Sequence, residues 1–128
     1  LRLYRDGWGL RVAGTSENHG VEQEHLNAVF GARLRITSLR AARGPGVELL
    51  QYLAPRDGRP APPDLRANDL LHWHTTVQVV DLDGALSSAV GAGARRVSPV
   101  TVETAPGERR ALLRDGDGHG LLLREAKP

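Results

Sequence analysis

The stretch LHWHTTVQVVDLDGALSSAVGAG, residues 71–93, changes hydrophobic period halfway along, and that change decides the fold. From Leu71 to Val80 the side chains alternate. Leu71, Trp73, Thr75, Val77 and Val79 fall on one, more apolar face, and His72, His74, Thr76 and Gln78 on the other. A period of two is that of a strand. From Asp81 to Gly93 the period becomes helical: Leu82, Ala85, Leu86 and Ala89 form the apolar stripe. Asp81 is placed to cap the helix start, and Gly91 and Gly93 end it.

Working downstream, Arg96 to Val102 is strand-like around Pro99, and Thr104 to Gly107 turns. Arg109 to Arg114 and Gly120 to Glu125 are strands around the turn Asp115-Gly116-Asp117-Gly118. This half therefore reads β-α-β-β-β. Upstream, Ala54 to Asn68 carries four prolines and reads as a long irregular connection. Before it lie a helix end from Leu1 to Asp6 stopped by Gly7 and Gly9, and a strand from Leu10 to Gly14. Thr15 to Gly20 reads as a polar loop and Val21 to Phe30 as a short helical excursion. Strands from Arg33 to Leu39 and Val47 to Leu53 flank the turn Gly44-Pro45-Gly46. The first half thus reads α-β-β-β. Gly46-Val47-Glu48-Leu49-Leu50 answers Gly120-Leu121-Leu122-Leu123-Arg124, and the helix end before Leu10 answers the one before Ala94. The order implies two βαβββ modules, the first lacking its opening strand.

Composition narrows the function. A chain of 128 residues suits one hydrophobic core. Its 40% apolar and 25% charged residues match an ordinary globular protein. The formal charge of +2 comes from scattered arginines, without the basic stripe that nucleic acid requires. No apolar run is long enough to span a membrane, and no secretory leader is visible. Without cysteine there are no disulfides and no thiolate zinc sites, which fits a cytoplasmic protein. The chain opens at Leu1 and has no methionine, which reads as a trimmed form of a longer product.

Several local patterns, taken together, resemble the vicinal oxygen chelate superfamily of glyoxalases, bleomycin-resistance proteins and ring-cleaving dioxygenases. Leu3-Tyr4-Arg5-Asp6 through Gly9-Leu10 resembles its aromatic helix motif, and Gly46 to Tyr52 its acidic strand. His74 to Asp83 resembles its strand-to-helix motif. Arg114 to His119 resembles its Asp-Pro-Asp-Gly turn, with Gly116 in place of proline.

The resemblance implies an α+β fold: a single glyoxalase-like domain of two βαβββ modules forming a cup-shaped mixed sheet. Residues 1–53 would be the first module, 54–70 a linker and 71–128 the second. It implies a small-molecule ligand in the cup, a homodimer, and in metal-dependent members a lyase, isomerase or dioxygenase using one divalent ion. Carried over, Glu48 and His74 fall on ligand positions, a donor pair suited to Zn, Ni, Mn, Co or Fe(II). They would also be the catalytic residues, the ion acting as a Lewis acid and a carboxylate as base. The fourth ligand position falls on Leu122, which has no ligating atom. The alternative is a metal-free binding protein of the antibiotic-sequestering kind. In either case His72, Leu50, Tyr52, Gln78 and Leu122 would line the pocket. Arg33 and Arg35, on the polar face of their strand, would suit an anionic substrate if they entered the cup.

Overall fold

The computed structural model describes residues 1–125. It is mixed α+β and divides into two compact units. One comprises Leu1–Trp8 and the chain from Pro60 onward; the other is Gly9–Arg59.

The Gly9–Arg59 unit is an antiparallel three-stranded sheet in the order β1 (Arg11–His19), β2 (Arg33–Arg40), β3 (Val47–Ala54), with the short helix α1 (Val21–Asn27) between β1 and β2. The sequence places a polar loop over Thr15 to Gly20, but β1 continues through it. Register pairs reach His19 opposite Arg33, and the Glu17 carboxylate bridges Arg33 at 2.8 Å and Arg35 at 3.0 Å. Every residue of β1 is exposed. A strand with two wet faces has no hydrophobic alternation, so it reads as loop. Leu34 and Leu39 anchor this unit at 0% exposure. They stand at an even and an odd position of β2, so both faces of the central strand are buried somewhere along its length.

The other unit holds five strands and a helix: β4 (His74–Val79), α2 (Leu82–Gly91), β5 (Arg95–Arg96), β6 (Val102–Ala105), β7 (Glu108–Arg114) and β8 (Gly120–Glu125). The sheet order is β4-β8-β7-β5, with β6 also paired to β7. β4 runs parallel to β8 and β7 antiparallel to it. The order is β-α-β-β-β-β, the β-α-β-β-β read from the sequence with one strand split in two, and three details differ. The first strand begins at His74 rather than Leu71, because the His72 N–H turns back to the Asp69 carbonyl at 2.9 Å. The segment around Pro99 is not one strand but two. Val97 and Ser98 both donate to the Leu112 carbonyl, a bulge that separates β5 from β6. Thr104 and Ala105 belong to β6, so the turn falls at Pro106-Gly107.

One side of this sheet is a core. Leu82, Leu86 and Ala89 of α2 bury against Ala111, Leu113, Leu121 and Leu123. The opening helix, Arg2–Gly7, packs on α2 within the same unit. It is wound as a π turn, with the Trp8 N–H bonded to the Leu3 carbonyl at 3.0 Å. Leu3 and Tyr4 are buried there, and the Trp8 indole donates to the Ala85 carbonyl at 3.1 Å. Asp81 caps α2 by accepting the Gly84 N–H at 3.0 Å. Replacing it orphans one N–H of the first turn, so Asp81→Ala is expected to lower stability by about 1 kcal/mol in urea unfolding. No helix among the described residues is long and apolar enough to cross a membrane.

Candidate functional site

Residues directly opposite in a ladder share a face, and register therefore sorts the site. On β4 and β8 the pairs are His74 with Gly120, Thr76 with Leu122 and Gln78 with Arg124. On β8 and β7 they are Gly120 with Arg114, Leu122 with Leu112 and Arg124 with Arg110. All of these lie on the face that α2 does not cover. Thr76, Gln78 and Arg124 are exposed, and Leu112 and Leu122 are half-buried. His74, Gln78 and Leu122, singled out from the sequence, therefore stand on one open sheet face. His72 precedes the strand, but its ring lies beside that of His74, with Nε2 3.1 Å from His74 Nδ1.

The Gly120 position is where the two histidines crowd the sheet. A Cβ there would lie 2.7 Å from the Trp73 carbonyl and 3.0 Å from the His74 Cβ. Only glycine lets β8 approach so closely. The histidine pair has a second peculiarity. His72 Nδ1 is buried and has no hydrogen-bond partner among the described residues. A buried N–H without an acceptor costs about 1–3 kcal/mol, more than a bare lone pair. The neutral tautomer that avoids this cost has the His72 proton on Nε2, donated to His74 Nδ1. In that tautomer the His74 proton is on Nε2.

Glu48, Leu50 and Tyr52 stand in the other unit. Their register partners are Ser38, Ile36 and Leu34, so the three share one face of the three-stranded sheet. Leu50 and Tyr52 are 47% and 38% exposed. The Ser38 hydroxyl donates to the Glu48 carboxylate at 2.9 Å. Arg33 and Arg35 point to the opposite face and are paired with Glu17, so they do not stand beside Glu48.

The turn between β7 and β8 is organised by one buried carboxylate. Asp115 Oδ2 accepts the Tyr4 hydroxyl at 2.9 Å and the His119 ring at 3.1 Å. Its Oδ1 accepts the backbone N–H groups of Asp117 at 3.0 Å and His119 at 2.9 Å. Burial pushes the Asp115 carboxyl up, but the hydrogen bonds from His119 and Tyr4 outweigh it and hold it below the ordinary aspartate value. Burial and the Asp115 charge push the Tyr4 phenol up, so it remains a donor. Gly118 closes the turn at φ +92°, a conformation glycine adopts without penalty. Asp115, Asp117 and His119 bring their ligand atoms within 4.8 Å of one another and can hold a metal ion. As folded, however, both Asp115 oxygens are engaged by the turn itself.

The metal centre implied by the resemblance fits less well. Within the five-stranded unit, the β8 positions beside His74 on this face are Gly120 and Leu122, neither with a ligating side chain.

Sequence reasoning missed a third cluster on this same face. Glu108 accepts Arg124 at 2.6 Å and 3.0 Å, Arg110 at 2.7 Å and the Thr104 hydroxyl at 2.8 Å. The Thr104, Arg124 and Arg110 bonds hold the Glu108 carboxyl down at about 2. The signal was present: Arg110, Leu112 and Arg114, like Leu122 and Arg124, recur at period two.

The fold is that of glyoxalase family proteins. A glyoxalase family protein from Bacillus cereus has a TM-score of 0.75 and 24% identity, over 94% of this chain and 80% of that one. Another, from Enterococcus faecalis, has a TM-score of 0.61 and 19% identity, over 97% and 84%. A hypothetical protein from S. aureus has a TM-score of 0.53 and 14% identity, over 98% and 82%. No protein-family model and no curated protein matches the chain.

Proposed function

We propose that this chain binds a small organic molecule on the open face of its five-stranded sheet, with His74 donating a hydrogen bond from Nε2 to a ligand oxygen. The observation that carries the reading is the buried, partnerless Nδ1 of His72. It favours the tautomer in which His72 donates from Nε2 to His74 Nδ1 and His74 presents an N–H at Nε2. A lone pair at Nε2 is what metal ligation requires, and producing it would put a proton on His72 Nδ1, where no acceptor waits. Leu122 supports the same reading, since the register puts an apolar side chain beside Thr76 where a carboxylate would complete a ligand set. The face sets an apolar centre, Leu112 and Leu122, between polar groups that can orient a small molecule. The glyoxalase-like fold of the solved structures supports a site of this kind without naming its substrate.

A second reading is a lyase, isomerase or dioxygenase whose divalent ion is held by Glu48 and His74. What favours it is the Ser38 hydroxyl, which steadies the Glu48 carboxylate as the partner of a ligand would. Two measurements separate the readings. Long-range nitrogen–proton correlation spectra are expected to show both His72 and His74 as Nε2–H tautomers. Plasma mass spectrometry of untagged protein is expected to give the same trace metal for the native chain and a Glu48→Ala/His74→Ala variant. Near one transition metal per chain, lost in the variant, would overturn the metal-free reading.

A further inference from the structure

We infer that the ligand of this face is an amphipathic anion, an apolar body ending in a carboxylate or similar acid group, whose charge is taken by Arg110 and Arg124. The inference rests on the reading above, that the open face is the binding face, and adds the chemical class.

The face is polarised along the strands. The histidine pair stands at one end, Leu112 and Leu122 occupy the middle, and Arg110, Arg124 and Gln78 form the other end. At about 3.3 Å per residue, His74 and Gln78 are roughly 13 Å apart, and Leu122 and Arg124 roughly 7 Å. An apolar body of six to eight carbons, on the order of the latter spacing, covers the leucines and puts its head at the guanidinium groups.

Charge bookkeeping favours an anion. Among the described residues two guanidinium groups share one carboxylate, Glu108, which leaves one positive charge in excess. Arg114, a third arginine of this face, stands at the histidine end opposite Gly120 and is buried, with Nη1 on the Gly118 carbonyl and Nη2 on the Leu65 carbonyl. The arginine ends remain accessible, with side chains 36% and 45% exposed. Glu108 fixes both planar forks in place before a ligand arrives. A guanidinium has five donors. Arg124 commits Nε and Nη2 to Glu108, and Arg110 also meets the same carboxylate through Nε and Nη2. The Nη1 groups of both are unused in these bonds. Preordered donors and a fixed charge are what a carboxylate head needs for oriented binding. By contrast, Arg109 lies on the covered face, where Asp83 and Glu125 satisfy it.

The test compares three probes of one shape: octanoate, octanamide and octylammonium. Binding to the full chain is followed by methyl chemical shifts of Leu112 and Leu122, with calorimetry at low and high salt. Octanoate is expected to bind at least about tenfold more tightly than octanamide, and to weaken as salt screens the pair. Octylammonium is expected not to bind. Arg110→Gln/Arg124→Gln is expected to bring octanoate down to the octanamide level. Glu108→Gln, which removes the competing charge, is expected to tighten octanoate about threefold, the sign a merely structural ion cluster would not give. If octanamide binds as well as octanoate, or the arginine variant binds octanoate unchanged, the anion inference falls and the binding face stands. If none of the three shifts either leucine, both fall.

Discussion

Asp115→Ala is expected to lose about 3–5 kcal/mol of stability, a large part of the 5–15 kcal/mol that a domain of this size has. The reason is what it leaves behind. Four donors converge on this carboxylate: the Tyr4 hydroxyl, the His119 ring and two backbone N–H groups. Alanine gives none of them an acceptor, and each buried orphan costs about 1–3 kcal/mol less whatever water recovers. Tyr4→Phe removes a single neutral donor to the same oxygen and is expected to lose only about 1–2 kcal/mol. Urea unfolding of the two variants measures both. The pH dependence carries a definite sign. The folded-state value of Asp115 is held below its ordinary one, so its contribution is complete above about pH 4, the unfolded-state range. It is lost as pH falls through the lowered value. Native protein should therefore show an acid-limb loss of stability between about pH 4 and the lowered value that Asp115→Asn lacks. An Asp115→Ala variant as stable as the native chain would mean that the β7–β8 turn does not depend on its carboxylate.

This hub also shows what the sequence can and cannot reveal. The turn at Asp115 to Gly118 is legible, because Asp and Gly at these spacings have local conformational reasons to turn. Its tie to Tyr4, 111 residues away, is not. Helix α2 and strand β8 are legible because each has one dry face, and hydrophobic period reports one dry face. Strand β1 is not, because all nine of its residues are wet. The same limit applies to the site. His74, Gln78 and Leu122 could be put on one face by parity within their own strands. The opposing rows of β7 and β8 need the register, and register exists only between strands. That is why Arg110 and Arg124, separated by 14 positions in the chain, look like scattered charge until Glu108 is seen to hold both. Conversely, Arg33 and Arg35 look available on parity alone and are committed to Glu17 once β1 is in place.

Leu123→Ala is expected to cost about 3–4 kcal/mol, and its neighbour Leu122→Ala about 1 kcal/mol. Leu123 is completely buried. Its ladder partners are Val77 on β4 and Ala111 on β7, and it faces the side that α2 covers. Removing its three terminal carbons leaves a cavity that a helix and two strands cannot close together, so the loss includes a cavity term as well as lost burial. Leu121, two residues earlier and 2% exposed, belongs to the same side and is expected to behave like Leu123. Leu122 projects to the open face between Thr76 and Leu112, where solvent fills the space a truncation leaves. Thermal or urea unfolding of the three single variants should therefore read large, small, large along consecutive residues of one strand. Three equal losses would mean that the face carrying Leu122 is as dry as the core. A core residue is held in place by folding alone, whereas a leucine that contributes little to stability is free to be chosen by what lies against it. The small middle value is thus the stability-side counterpart of the binding reading: the apolar centre of the open face is available to a ligand because the fold does not depend on it.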